Sequence, residues 1–139
     1  MVLRPEAVRE RLRKLEEVIS GLEDLAVEKG SGLRDEWATQ RGLQLGAELL
    51  FDIGNHVLAA HFGVSAGDYE DVLEQLAARG VIERTLRERF RGLGGFRNIL
   101  VHDYLRLDRK KVADSAASAP RDLSAFALAI DDWLVRIGV

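Results

Sequence analysis

The chain has 139 residues, 47% of them apolar and 31% charged, with no cysteine and a formal net charge of −3. This is the balance of one globular domain with a substantial core, and it excludes a disordered chain, disulfides, thiolate metal sites and cysteine nucleophiles. No apolar run reaches the roughly 18–20 residues of a membrane span, and the opening MVLRPEAVRERLRKLEE is charged, so a soluble, cytoplasmic protein is expected.

Residues 6–29 place Val8, Leu12, Leu15, Ile19, Leu22 and Ala26 at alternating spacings of four and three, the seam of a long amphipathic helix. Pro5 stands near its start, where a missing N–H costs little, and Gly30-Ser31-Gly32 is expected to end it. A second helix should run from about residue 33 to Phe62; it is apolar on most sides, as a central helix is. After a break at Gly63–Asp68, a short third helix spans Tyr69–Arg79, capped by Asp68 and stopped by Gly80. A fourth is predicted over 83–105, and a fifth from Asp108 toward Ile137, where Pro120 should kink or split it. Period-two alternation and hairpin turn pairs are absent. The expectation is a single all-α domain, residues 1–139, folded as an antiparallel bundle of about five helices.

On the central helix, Arg41, Gln44, Glu48, Asp52 and Asn55 recur at spacings of 3, 4, 4 and 3, which gathers them on one stripe. Such a stripe either faces water or lines a polar cleft, where Glu48 and Asp52 would orient a catalytic side chain on another helix. His56 lies at its edge. No metal is expected: His56 and His61 are five apart, not the i, i+4 pair of a helical zinc site, and no ligand set has a recognisable spacing.

Charge is unevenly spread. Residues 84–111 hold nine Lys/Arg against three acids, while the remainder is acidic. A basic segment on an acidic body could attract a polyanion, although a solvated helical face is the plainer reading.

Within that segment, RNILVHDY (97–104) sets polar groups among apolar anchors, Ile99, Leu100 and Val101. Arg97 is a permanent cation whose planar fork matches a phosphate. His102 is an imidazole, the side chain suited to give or take a proton at neutral pH. Asn98 and Tyr104 add an amide and a phenol. These parts suffice to cleave a phosphodiester without metal, one group taking the ribose 2′ proton and a cation stabilising the phosphorane. On a regular helix Arg97 and His102 project about 140° apart, while Tyr104 falls nearly in line with Arg97. A long Arg side chain, a local π-bulge or a second copy of the helix must bring them together, and a second copy facing the first across a two-fold axis would let the two groups share a cleft. The glycines of RGLGGF lack the lysine and preceding strand of a phosphate loop, and are read instead as allowing close helix approach.

Arg97, four residues, His102, one residue and Tyr104 resemble the R-x4-H-x-Y signature of the HEPN superfamily, specifically its HepT-like toxins. GFRNILVHDY, the upstream RGLQLGAELLFDIGNHV and the following amphipathic helix extend the likeness over most of the chain. The resemblance implies a dimeric, metal-independent endoribonuclease needing no cofactor, with Arg97 and His102 catalytic and Asn98 supporting. It also implies an MntA-like nucleotidyltransferase antitoxin as partner, silencing the toxin by AMP transfer to Tyr104. The alternative within the superfamily is a non-catalytic module that binds nucleotides or partners a nucleotidyltransferase.

Overall fold

The computed structural model describes residues 2–28 and 32–139. Among these the protein is wholly helical: α1 (Pro5–Glu28), α2 (Leu33–Val57) with a π-helical extension (Leu58–Phe62), α3 (Tyr69–Ala78), α4 (Arg84–Arg89), α5 (Leu93–His102), a 3-10 turn (Tyr104–Arg106) and α6 (Arg109–Arg136).

The seam of α1 folds inward as expected through Val8, Leu12, Leu15, Ile19 and Leu22, all buried, but Ala26 is exposed, so the packed seam ends a turn early. The proposed Gly30-Ser31 stop lies outside the described residues. α2 is the central helix and touches α1, α3, α5 and α6; Leu50, Ile53 and Val57 are fully buried along it. α1, α2 and α6 all contact one another and enclose the main core. On the other flank, a Cβ on Gly54 would come within 2.6 Å of the Val72 side chain, so only glycine lets α3 lie this close to α2. Asp68 caps α3 by accepting the Asp71 N–H at 2.8 Å, and Asp108 caps α6 by accepting that of Lys110 at 2.9 Å.

Two expectations are corrected. The single helix over 83–105 is two, broken at Phe90–Gly92, where Gly92 adopts a left-handed φ of 86° and α5 sets off afresh. Pro120 does not split the last helix: α6 runs unbroken for 28 residues with the proline inside it. Val112, Leu123, Phe126, Ile130, Trp133 and Leu134 are buried on both sides of Pro120, and that burial outweighs one lost helical hydrogen bond.

Candidate functional site

α5 carries most of the motif, and its position is set at its N-terminus. Glu70, in the first turn of α3, accepts the backbone N–H groups of Gly92 and Gly94, each at 3.1 Å. The buried guanidinium of Arg87 donates to the same carboxylate at 3.3 Å. A Cβ on Gly94 would sit 2.6 Å from Cβ of Tyr69, so the α5 backbone lies directly against the Tyr69 side chain of α3. Of the glycine cluster, Gly94 therefore does serve close helix approach, here between α3 and α5 of one chain, whereas a Cβ on Gly92 or Gly95 would meet nothing.

This contact fixes the start of α5 one turn before Arg97. The Arg97 side chain, 17% exposed, turns toward α2 and donates to Glu48 Oε1 at 3.3 Å and to Asn98 Oδ1 at 3.3 Å. Its guanidinium carbon lies 5.4 Å from the ring centroid of Tyr69, which in turn stacks on Phe51 at 4.4 Å. Gln44 donates to Glu48 at 3.1 Å from one turn back along α2. Arg97 is thus held by charge, amide and aromatic face together.

The stripe on α2 partly lines a cleft. Glu48, Asp52 and Asn55 border an open hollow of about 380 Å3 together with Tyr69 and Arg97. Asp52 reaches neither Arg97 nor His102; it accepts from Arg11 of α1 at 3.1 Å. Arg41 is exposed. His56 accepts the backbone N–H of Arg4 at 3.3 Å, tying the N-terminus onto α2. Burial, with Arg4 and Arg11 adding to it and Asp52 opposing, lowers its pKa from the ordinary 6.5. His61 packs edge-on against Phe62 and Trp133, a structural place.

His102 is the last residue of α5 and is exposed, with no side-chain hydrogen bond among the described residues. Tyr104 is not on that helix. The chain turns at Asp103 (φ −136°, ψ 48°), and a 3-10 turn presents Tyr104 to solvent, 71% exposed beside Leu105 at 89%. The helical alignment of Tyr104 with Arg97 is corrected accordingly: the two belong to different elements. Arg106 pairs with Asp103 at 3.2 Å across the turn. Of the three apolar anchors only Leu100 packs on the core, and Ile99 and Val101 stay half-buried.

The basic segment is largely neutralised by its own fold. Arg84 pairs with Glu74, Arg87 with Glu70, Arg89 with Asp122, Arg91 with Glu88, Arg97 with Glu48 and Arg109 with Glu36. It is not a bare polyanion track. Tyr69, Glu70 and Phe51 are the site residues that spacing could not single out, because they meet the motif through contacts between helices distant in sequence.

The chain is a wholly helical bundle that sets Arg-x4-His at the end of one helix and an outward tyrosine on the next turn. The model of the ribonuclease HepT-like family matches residues 8–130. A candidate RNase of Archaeoglobus fulgidus is 31% identical over 98 residues, which is 70% of this chain and 67% of that protein. The fold is similar to YutE, a cytosolic protein of Bacillus subtilis, at TM-score 0.79 and 22% identity, covering 96% of this chain and 93% of that one. It is also similar to a tri-AMPylated HEPN toxin of Shewanella oneidensis solved with its MNT antitoxin, at TM-score 0.81 and 20% identity, covering 90% and 96%. The chain belongs to the ribonuclease HepT-like family.

Among the described residues no helix is long and apolar enough to cross a membrane.

Proposed function

We propose that this chain is the toxin half of a toxin–antitoxin pair, a cytoplasmic endoribonuclease that cuts RNA without a metal. The observation that carries the reading is Arg97, part-buried and fixed on Glu48 at the edge of an open cleft, five residues before an exposed, unengaged His102 on the same helix. His102 takes the ribose 2′ proton, the 2′ oxygen bonds to phosphorus, and Arg97 stabilises the phosphorane charge. The bond from phosphorus to the 5′ oxygen breaks, and that oxygen leaves with a proton from the imidazolium of a second copy. The products are a 2′,3′-cyclic phosphate and a 5′ hydroxyl. Asn98 and Glu48 hold Arg97, and Asp52 helps to shape the cleft beside them.

The active form in this reading is a homodimer. Arg97 turns inward toward α2 while His102 faces solvent, so one copy does not bring the two together. The half-buried Ile99 and Val101, with exposed Leu105, leave apolar surface beside the motif for a second copy to cover.

The partner is an MntA-like nucleotidyltransferase that silences the toxin through Tyr104. The Tyr104 phenol oxygen attacks the α-phosphorus of ATP, its proton is lost, and pyrophosphate leaves. Support comes from the outward placement of Tyr104 on its own turn, open to a second protein.

RNA incubated with the purified chain should yield cyclic-phosphate ends, and folded His102→Ala and Arg97→Ala proteins should yield none. Cleavage at the parent rate by both variants would reject the assignment. Intact mass after coexpression with the partner should rise by whole AMP units, and Tyr104→Phe should abolish the rise.

A further inference from the structure

On the side of α5 away from the Arg97 cleft, a cavity of about 130 Å3 opens between α2, the α4–α5 break, α5 and α6. Its floor is apolar: Leu43, Ala47, Phe90, Phe96 and Leu123 line it, and each is at least nine-tenths buried. Its mouth is cationic. Arg89, Arg91 and Lys111 stand around it, all exposed.

The single lining acid, Asp122, is already matched by Arg89 at 3.4 Å and Arg121 at 3.1 Å, and Arg91 is matched by Glu88 at 2.7 Å. Lys111 has no carboxylate partner among the described residues; its ammonium lies 5.8 Å from the Phe96 ring centroid, over the floor. The cavity therefore joins an apolar compartment to one uncommitted cation. An apolar cavity of about 150 Å3 admits benzene, so this volume suits a single six-membered ring and little more.

We propose that this cavity is a binding site for a small anion built on one six-membered ring, the ring seated on the Phe90–Phe96–Leu123 floor and the anionic group held by Lys111. Ring burial supplies the affinity and Lys111 selects the charged head over a neutral one. An aromatic carboxylate shares this chemistry, as does a pyrimidine nucleotide whose base alone enters while its sugar and phosphate stay at the open mouth. The site is independent of RNA cleavage, so it stands or falls apart from the assignment above.

The test is a titration of the full-length protein with benzoate, benzyl alcohol and uridine 5′-monophosphate, followed by backbone amide NMR shifts. Benzoate is expected to give saturable shifts centred on Leu43, Phe90 and Phe96, with benzyl alcohol binding several-fold more weakly. Competition between uridine monophosphate and benzoate assigns the site to nucleotides; benzoate binding alone assigns it to free acids. The Ser118 hydroxyl bonds only carbonyls of its own helix, so Ser118→Leu adds bulk to the cavity wall without orphaning a partner. That variant should abolish the shifts, and Lys111→Gln should weaken benzoate at least several-fold while leaving benzyl alcohol unchanged. Absence of saturable shifts with either anion overturns the proposal, as do equal shifts in a folded Ser118→Leu protein.

Discussion

The guanidinium of Arg97 rests 5.4 Å from the ring centroid of Tyr69, a residue outside the R-x4-H-x-Y signature. Tyr69 opens α3, and its Cβ lies against Gly94, three residues before Arg97. One residue therefore sets both the depth of α5 and the resting place of its arginine.

A part-buried contact of this kind contributes about 1–2 kcal/mol to holding the cation, or roughly 5- to 30-fold in a rate that depends on its position. Tyr69→Phe keeps the ring and is expected to cleave RNA close to the parent rate. Tyr69→Ala is expected to lose about tenfold in kcat, with a smaller change in KM. Single-turnover cleavage beside thermal unfolding separates the two effects; equal rates in a folded Tyr69→Ala protein would remove Tyr69 from the site.

Glu70 gathers two backbone donors and the buried Arg87 onto one carboxylate, with Glu74 as a longer second partner for Arg87 at 3.6 Å. Removing it leaves the buried Arg87 with only the longer Glu74 contact and takes the acceptor from two backbone N–H groups, at a cost of about 2 kcal/mol after allowing for the half-exposed carboxylate. Glu70→Ala should lower Tm by roughly 5–10 °C. Gly94→Ala is expected to be at least as harmful, because its new Cβ meets the Tyr69 Cβ, which no rotamer change can move aside. Differential scanning calorimetry on both variants checks the order.

His56 makes stability depend on pH. Burial and the nearby Arg4 and Arg11 lower its folded pKa from 6.5, so below that value the unfolded chain binds the extra proton first. Stability should be flat above about pH 6.5 and fall as pH drops from there toward the lowered folded value. Protonation at Nε2 also removes the acceptor for the Arg4 N–H. His56→Gln should flatten the profile of Tm below about pH 6.5. An unchanged slope would assign the loss to other groups.

The helical class, the α1 seam from Val8 to Leu22 and the Asp68 cap were legible because each depends on residues within a few positions of one another. The Glu48–Arg97 pair was half legible: the stripe marked Glu48 as facing something polar, and only the docking of α5 says what. Tyr69, Phe51 and Glu70 were hidden, since a ring under a guanidinium or a carboxylate beneath a helix start leaves no periodic trace in sequence. The break at Phe90–Gly92 leaves no mark in the apolar pattern, which runs across it. It takes Gly92 in a left-handed turn, clamped by Glu70, to end one helix and begin the next.

Pro120 shows the opposite error, a local rule overridden by packing. Its ring removes the donor for the carbonyl of Ala116, yet α6 stays whole because buried side chains on both flanks hold the helix against its neighbours. Pro120→Ala restores the N–H and a strong helix former, and is expected to stabilise the protein by about 1–2 kcal/mol. Urea unfolding should show a higher midpoint with an unchanged m value. A lower midpoint would mean that the proline ring itself fills space in the bundle that alanine leaves empty.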